Sequence, residues 1–121
     1  MADAISTDEP AVAAPSVPCC PHYHAAVELI GRRWTGAIVA VLLEREPLRF
    51  SDIATCVPDL SDRLLSERIK ELELHGLVER LADPGPPART RYGWTAKGRD
   101  LAPAVTELHA WAQRWLPDAA P

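Results

Sequence analysis

Residues 48–94 run LRFSDIATCVPDLSDRLLSERIKELELHGLVERLADPGPPARTRYGW, and the order of signals within them decides the fold. Residues 61–75 combine strong helix formers with a Ser in N-cap position after Pro58-Asp59-Leu60, and Gly76 follows as a stop. That predicts a helix of about four turns at 1.5 Å per residue. On a 100° wheel Ile69 and Leu72 fall within about 40° of Leu65, while Arg63, Ser66, Glu67 and Lys70 gather on the opposite face. One face suits a core and the other carries the short and basic groups that fit a major groove. Any amphipathic helix with a solvated outer face shows the same pattern, so the neighbouring segments carry the decision.

Upstream, Phe50-Ser51-Asp52-Ile53-Ala54 predicts a short helix with Phe50 and Ile53 inward, ended by Cys56-Val57-Pro58. In this helix, turn, helix order the second helix enters the groove and the first braces it over the backbone. Downstream, residues 77–81 and 89–94 are strand-like runs around a seven-residue connection, residues 82–88, too rich in Pro for a two-residue hairpin. A projecting wing is the consequence. Arg89 and Arg91 alternate with Thr90 and Tyr92, so both arginines share a face and can clamp phosphates or enter a minor groove. The layout predicts a mainly α chain with a small β-hairpin wing (α+β), a winged helix-turn-helix that reads double-stranded DNA.

The formal charge of −4 sits awkwardly with a DNA partner until its placement is considered. Asp3, Asp8, Glu9 and Asp118 lie in the tails, and the body between them carries 13 positive and 13 negative side chains. A neutral body with local basic clusters predicts low non-specific affinity and reliance on geometry. At 121 residues one domain is expected, over residues 19–117. Residues 1–18, with three Pro, five Ala and three acids and no period, are expected to be a disordered tail. Gly31-Arg32-Arg33 and Glu44-Arg45-Glu46 interrupt the longest apolar run, which excludes a bilayer span, and no secretory signal opens the chain, so a cytoplasmic location is expected. Three cysteines in that setting argue against a disulfide framework.

Pro21 can open a helix to Ile30 that buries Ala26, Val27 and Ile30 and ends at Gly31. Trp34, Ile38, Val41 and Leu42 predict a second core helix ending near Glu44, before Pro47. Thr95 is a good N-cap for a helix reaching Trp115, with Pro103 as its one irregularity. Along it Leu101, Val105, Leu108, Ala112 and Trp115 are spaced 4, 3, 4, 3, with Ala104 and Trp111 widening the stripe. This is either packing for the chain's own core or a seam for a second copy, and the terminal tryptophans favour the seam.

The chain resembles the HxlR-type family of bacterial transcriptional regulators, relatives of the MarR class. The resemblance rests on Cys20-Pro21, Leu29-Ile30-Gly31-Arg32-Arg33-Trp34-Thr35, Arg49-Phe50-Ser51-Asp52-Ile53, Leu65-Ser66-Glu67-Arg68-Ile69-Lys70-Glu71-Leu72, Gly76-Leu77-Val78-Glu79-Arg80 and Tyr92-Gly93-Trp94-Thr95-Ala96-Lys97-Gly98 with the three residues after it, in that order. It implies a homodimer joined through N- and C-terminal helices, here through Leu101, Val105, Leu108, Trp111, Ala112 and Trp115. Arg32 stands where the family has Gly and Trp94 where it usually has Leu, so altered core packing or an altered dimer-proximal pocket is expected around Trp94.

DNA contacts are expected from Arg63, Ser66 and Lys70 on the recognition helix, Ser61 at its N-terminus, Arg49 on the bracing helix, and Arg89 and Arg91 on the wing, with Arg68 as a structural ion-pair partner. A dimer would read an inverted-repeat operator. No Gly-rich phosphate loop, HExxH or Gly-x-Ser-x-Gly occurs, so no catalytic residue and no cofactor are assigned. A rival is a metal- or small-ligand-responsive regulator, since Cys19, Cys20, His22 and His24 offer two thiols and two imidazoles, although adjacent cysteines suit one tetrahedral ion poorly and no metal site is assigned. Another is a winged-helix protein-interaction module. The resemblance also implies sensing of an oxidant or small-molecule effector through Cys20, which precedes a helix N-terminus that favours anionic groups. Cys56, at the end of the bracing helix, is the expected second thiol, from a partner subunit, and the adjacent Cys19 can form that bond itself or reshuffle it.

Overall fold

The computed structural model describes residues 20–83 and 89–119. The tail expected over residues 1–18, and Cys19, lie outside the described residues. The chain divides into two compact units, one ending at Gly31 and one beginning at Arg32.

The described part of the first unit is one helix, α1 (Pro21–Ile30). Its first residue is a proline, whose ring presets the helical φ and whose missing N–H would have had no partner there. Cys20 is the N-cap, with Sγ accepting the Tyr23 N–H at 3.5 Å. At the other end the Gly31 N–H donates to the Val27 carbonyl at 2.8 Å. No residue of α1 is buried: Ala26 and Val27 are exposed and Ile30 is half-buried, contrary to the expected burial of all three. Apolar spacing records a face that needs a partner surface; it does not say whether the chain itself supplies one.

The second unit runs α2 (Thr35–Glu44), β1 (Leu48–Arg49), α3 (Phe50–Cys56), α4 (Asp62–Leu74), β2 (Val78–Asp83), β3 (Arg89–Trp94) and α5 (Ala96–Trp115). Ile38, Val39 and Leu42 of α2, Ile53 of α3, Val57 and Leu60 of the turn, Leu65, Ile69 and Leu72 of α4, and Leu77, Val78 and Trp94 form the core. The recognition-helix stripe is therefore buried as its spacing predicted, and Phe50 is half-buried beside a fully buried Ile53. In α2 the expectation needs correcting. Trp34 stands before the helix as its N-cap in the left-handed region, at φ 74°, and Val39 is buried where Val41 is only half-buried. The Arg33 carbonyl accepts from Arg68 Nε at 3.0 Å, a tertiary bond that ties this turn to α4.

The three strands form an antiparallel sheet in the order β1-β3-β2. Leu48 and Arg49 pair with Tyr92 and Arg91, so the bracing helix is entered from a short strand that the sequence pattern did not announce. On the other side the register runs from Val78 opposite Trp94 to Asp83 opposite Arg89. Ala82 and Asp83 thus belong to the ladder, and the expected seven-residue connection shrinks to residues 84–88, which lie outside the described residues. Backbone pairing and the ion pairs of Asp83 extend the strand beyond the point where apolar residues stop.

Two caps set the hairpin against the helices. Gly76 adopts φ 74° after α4, with Gly76 N–H donating to the Glu73 carbonyl and Leu77 N–H to the Leu72 carbonyl, both at 2.9 Å. This pair of reversed bonds is the Schellman arrangement that only a left-handed residue closes easily. Thr95 caps α5 by accepting the Gly98 N–H at 3.1 Å while its hydroxyl donates to the Gly76 carbonyl. Lys97 Nζ donates to the His75 carbonyl at 2.6 Å, so the start of α5 closes the end of α4.

Candidate nucleic-acid interface

Ser61 caps α4, its Oγ accepting the Leu64 N–H at 3.2 Å, and Asp62 in the first turn complements the helix dipole. Away from the core α4 presents Arg63, Glu67 and Lys70, all exposed, with Ser66 half-buried at the margin. Arg63 Nε lies 3.4 Å from Glu67 Oε2, one turn along, in a solvent-exposed pair that is weak enough to exchange for a phosphate or a base. Leu74, 87% exposed, extends the same face at its C-terminal end, where its position on the helical wheel also puts it.

Arg68 is buried beneath this surface. Its Nε donates to the Arg33 carbonyl and its NH1 to Glu71 at 3.2 Å, and Glu71 also pairs with Arg32 at 3.3 Å. The structural role expected for Arg68 is the one it has: it ties α4 to the turn before α2.

The arginines expected at the bracing helix and the wing converge. Arg49 is the N-cap of α3, with its N–H donating to Asp52 Oδ2 at 3.2 Å. Its NH2 reaches Asp83 Oδ2 at 3.3 Å, and Arg91 Nε donates to Asp83 Oδ1 at 2.5 Å. The hydrogen bond from Arg91, seconded by Arg49, holds the Asp83 carboxyl below the usual carboxylate range. Arg89, opposite Asp83 in the register, is exposed. The period of two puts Arg89 and Arg91 on one sheet face, as expected, and Asp83 on that face with them. The acid was missed because it fell inside the presumed loop.

Along α5, Leu101, Val105 and Ala112 are half-buried, whereas Leu108 (56%), Trp111 and Trp115 (68%) are exposed. Only Gly98 of this helix is buried. The inner part of the stripe is thus partly covered, whereas Leu108, Trp111 and Trp115 are not, and Leu116 extends the uncovered surface. Cys56 is exposed at the end of α3. Among the described residues no three His, Cys, Asp or Glu side chains gather in a set that could hold a metal ion, and no helix is long and apolar enough to cross a membrane.

Comparison with known proteins agrees with this architecture. The HTH-type transcriptional regulator YvaP of Bacillus subtilis (strain 168) is 45% identical over 97 residues, covering 80% of this chain and 89% of that protein. The HTH-type transcriptional regulator YodB of the same organism is 40% identical over 96 residues, covering 79% and 85%. The solved reduced form of YodB superimposes with a TM-score of 0.72 at 37% identity, covering 85% of this chain and all of that one. The redox regulator HypR in its reduced form gives 0.71 at 25% identity over 82% of this chain and 99% of that one. Residues 29–120 match the HxlR-like helix-turn-helix family. With α3, α4 and the paired strands β2 and β3 in this order, the chain belongs to that family and is a winged-helix, DNA-binding transcriptional regulator.

Proposed function

We propose that the chain works in the cytoplasm as a homodimer that reads an inverted-repeat operator and answers oxidants or electrophiles through Cys20. The observation that carries the reading is the pairing of two uncommitted surfaces: the Arg63, Lys70 face of α4, and the Leu108, Trp111, Trp115 face of α5. A two-fold dimer formed through α5 would present two α4 helices to successive major grooves, about 34–36 Å apart. Arg63 and Ser66 then face base edges, Lys70 and Ser61 the backbone, and Arg49, Arg89 and Arg91 the phosphates beside the wing.

The effector reading rests on Cys20 and on the company the fold keeps. YodB has been solved in diamide-treated and quinone-bound forms, and HypR in reduced and oxidised forms. Cys20 stands at the N-terminus of α1 as its N-cap, with Sγ accepting the Tyr23 N–H. Oxidation would join Cys20 of one protomer, or Cys19 in its place, to Cys56 of the other, the two thiols giving up two protons and two electrons to the oxidant. An electrophile such as a quinone would instead add to the Cys20 thiolate.

The test starts with selection of the operator from random or genomic DNA by the purified protein. Affinity for that operator is then measured before and after diamide, with mass mapping of the linked peptides. The reading requires a change of affinity on oxidation that Cys20→Ser abolishes. Equal responses of Cys20→Ser and the unsubstituted chain would refute the thiol switch and leave the DNA reading standing.

A further inference from the structure

Arg49 and Arg91 face each other directly across β1 and β3. Like charges in that relation repel, so the pair needs an anion to hold it. Asp83 supplies one from β2. It lies two residues beyond Leu81, which pairs with Arg91, so its side chain is on the same sheet face. Its two oxygens are divided between the two guanidinium groups, Oδ1 to Arg91 and Oδ2 to Arg49. Arg49 Nε is buried with no hydrogen-bond partner, and the contact with Asp83 runs through the NH2 group.

A carboxylate bridging two arginines has the geometry of a DNA phosphate, whose two non-bridging oxygens accept from guanidinium groups in the same way. We propose that Asp83 is an internal surrogate for the DNA backbone that occupies Arg49 and Arg91 and so sets how much non-specific affinity they contribute. This rests on the assignment of those two arginines as backbone contacts. An approaching phosphate meets a cluster of net charge +1 in place of +2, and must displace or share a carboxylate that repels it. The cost falls on every DNA sequence alike. Base contacts from α4 are untouched, so the acid raises the ratio of specific to non-specific binding. In a body whose charges balance, 13 against 13, a single carboxylate at this position carries unusual weight. Asp83 is on this account a specificity-determining residue that touches no base.

The experiment measures binding to a mixed-sequence duplex of about 20 base pairs by fluorescence anisotropy over a series of KCl concentrations. Asp83→Asn, which keeps the shape and removes the charge, is expected to bind about three- to tenfold tighter at low salt. The slope of log K against log salt should steepen by roughly one to two, one counterion step per phosphate gained. In an Arg49→Ala, Arg91→Ala background the same substitution should give a smaller gain and no steeper slope, since only the general repulsion of one acid is then removed. Unchanged or weaker binding by Asp83→Asn would overturn the proposal, since an acid that orients the arginines for DNA predicts that loss. If Asp83→Asn and Asp83→Ser both lose the cooperative thermal transition, Asp83 is a brace for the wing and the proposal also fails. If instead the double arginine variant binds with the affinity and slope of the unsubstituted chain, the assignment of the two arginines to the backbone is what fails.

Discussion

The ring of Trp94 occupies the space that a side chain at Gly98 would need. A Cβ placed on Gly98 would come 2.3 Å from Trp94 Cε3 and 2.3 Å from the Leu77 carbonyl oxygen. Trp94 is 2% exposed, so its ring has nowhere to go, and the backbone at Leu77 is held by its bond from the Thr95 N–H. Trp94 is thus fitted against a residue without a side chain, in the core of the winged unit.

Gly98→Ala should therefore destabilise the fold, although Ala is the better helix former in isolation. Overpacking of this kind costs about 1–3 kcal/mol. Thermal or urea unfolding checks it, and Trp94→Leu in the same chain should recover part of the loss. The recovery is partial because the Leu77 carbonyl remains. A Gly98→Ala variant as stable as the parent would contradict the contact.

On α4, Lys70→Ala should weaken binding to all DNA sequences similarly and lower the salt slope by about one. Arg63→Ala should cost about 1–3 kcal/mol on the operator and little on other DNA. Losing the exposed Arg63 to Glu67 pair changes stability by less than about 1 kcal/mol, so the two effects separate cleanly. Unaltered binding by both variants would remove α4 from the interface.

Leu108→Asp places a charge on the uncovered face of α5. In one chain Leu108 is exposed, so the fold should survive, while sedimentation should report monomers. Operator affinity should then fall steeply because the half-sites are no longer linked. An unfolded variant would assign Leu108 to the intradomain core.

Asp83 also makes stability depend on pH. Its carboxyl is held low in the folded chain, first by the Arg91 hydrogen bond, so its contribution is complete above the unfolded value of about 3.9. The contribution is lost as pH falls from there through the lowered value. The unsubstituted chain should be the more stable at pH 7, with the gap to Asp83→Asn closing below about pH 4. A gap of constant size from pH 7 to pH 2.5 in parallel thermal melts would speak against the pairing.

Much of this was legible in the sequence because it depends on neighbours along the chain. The 3.6-residue period buried Leu65, Ile69 and Leu72, and Ser61, Gly76 and Thr95 acted as the caps their chemistry suggested. The outer residues of α4 followed from the same wheel. Other features needed residues far apart to meet. The left-handed Trp34 precedes α2, and the bond from Arg68 that ties its turn to α4 comes from thirty-five residues away along the chain. Asp83 looked like a loop residue until β3 paired with it and brought Arg91 within reach, while β1 brought Arg49 from the far side. The apolar spacing of α1 and α5 was visible, but spacing gives only the existence of a face. Local propensity and periodicity are properties of the strand of sequence; which surfaces are covered, and which charges neutralise one another, are settled only when the chain has closed on itself.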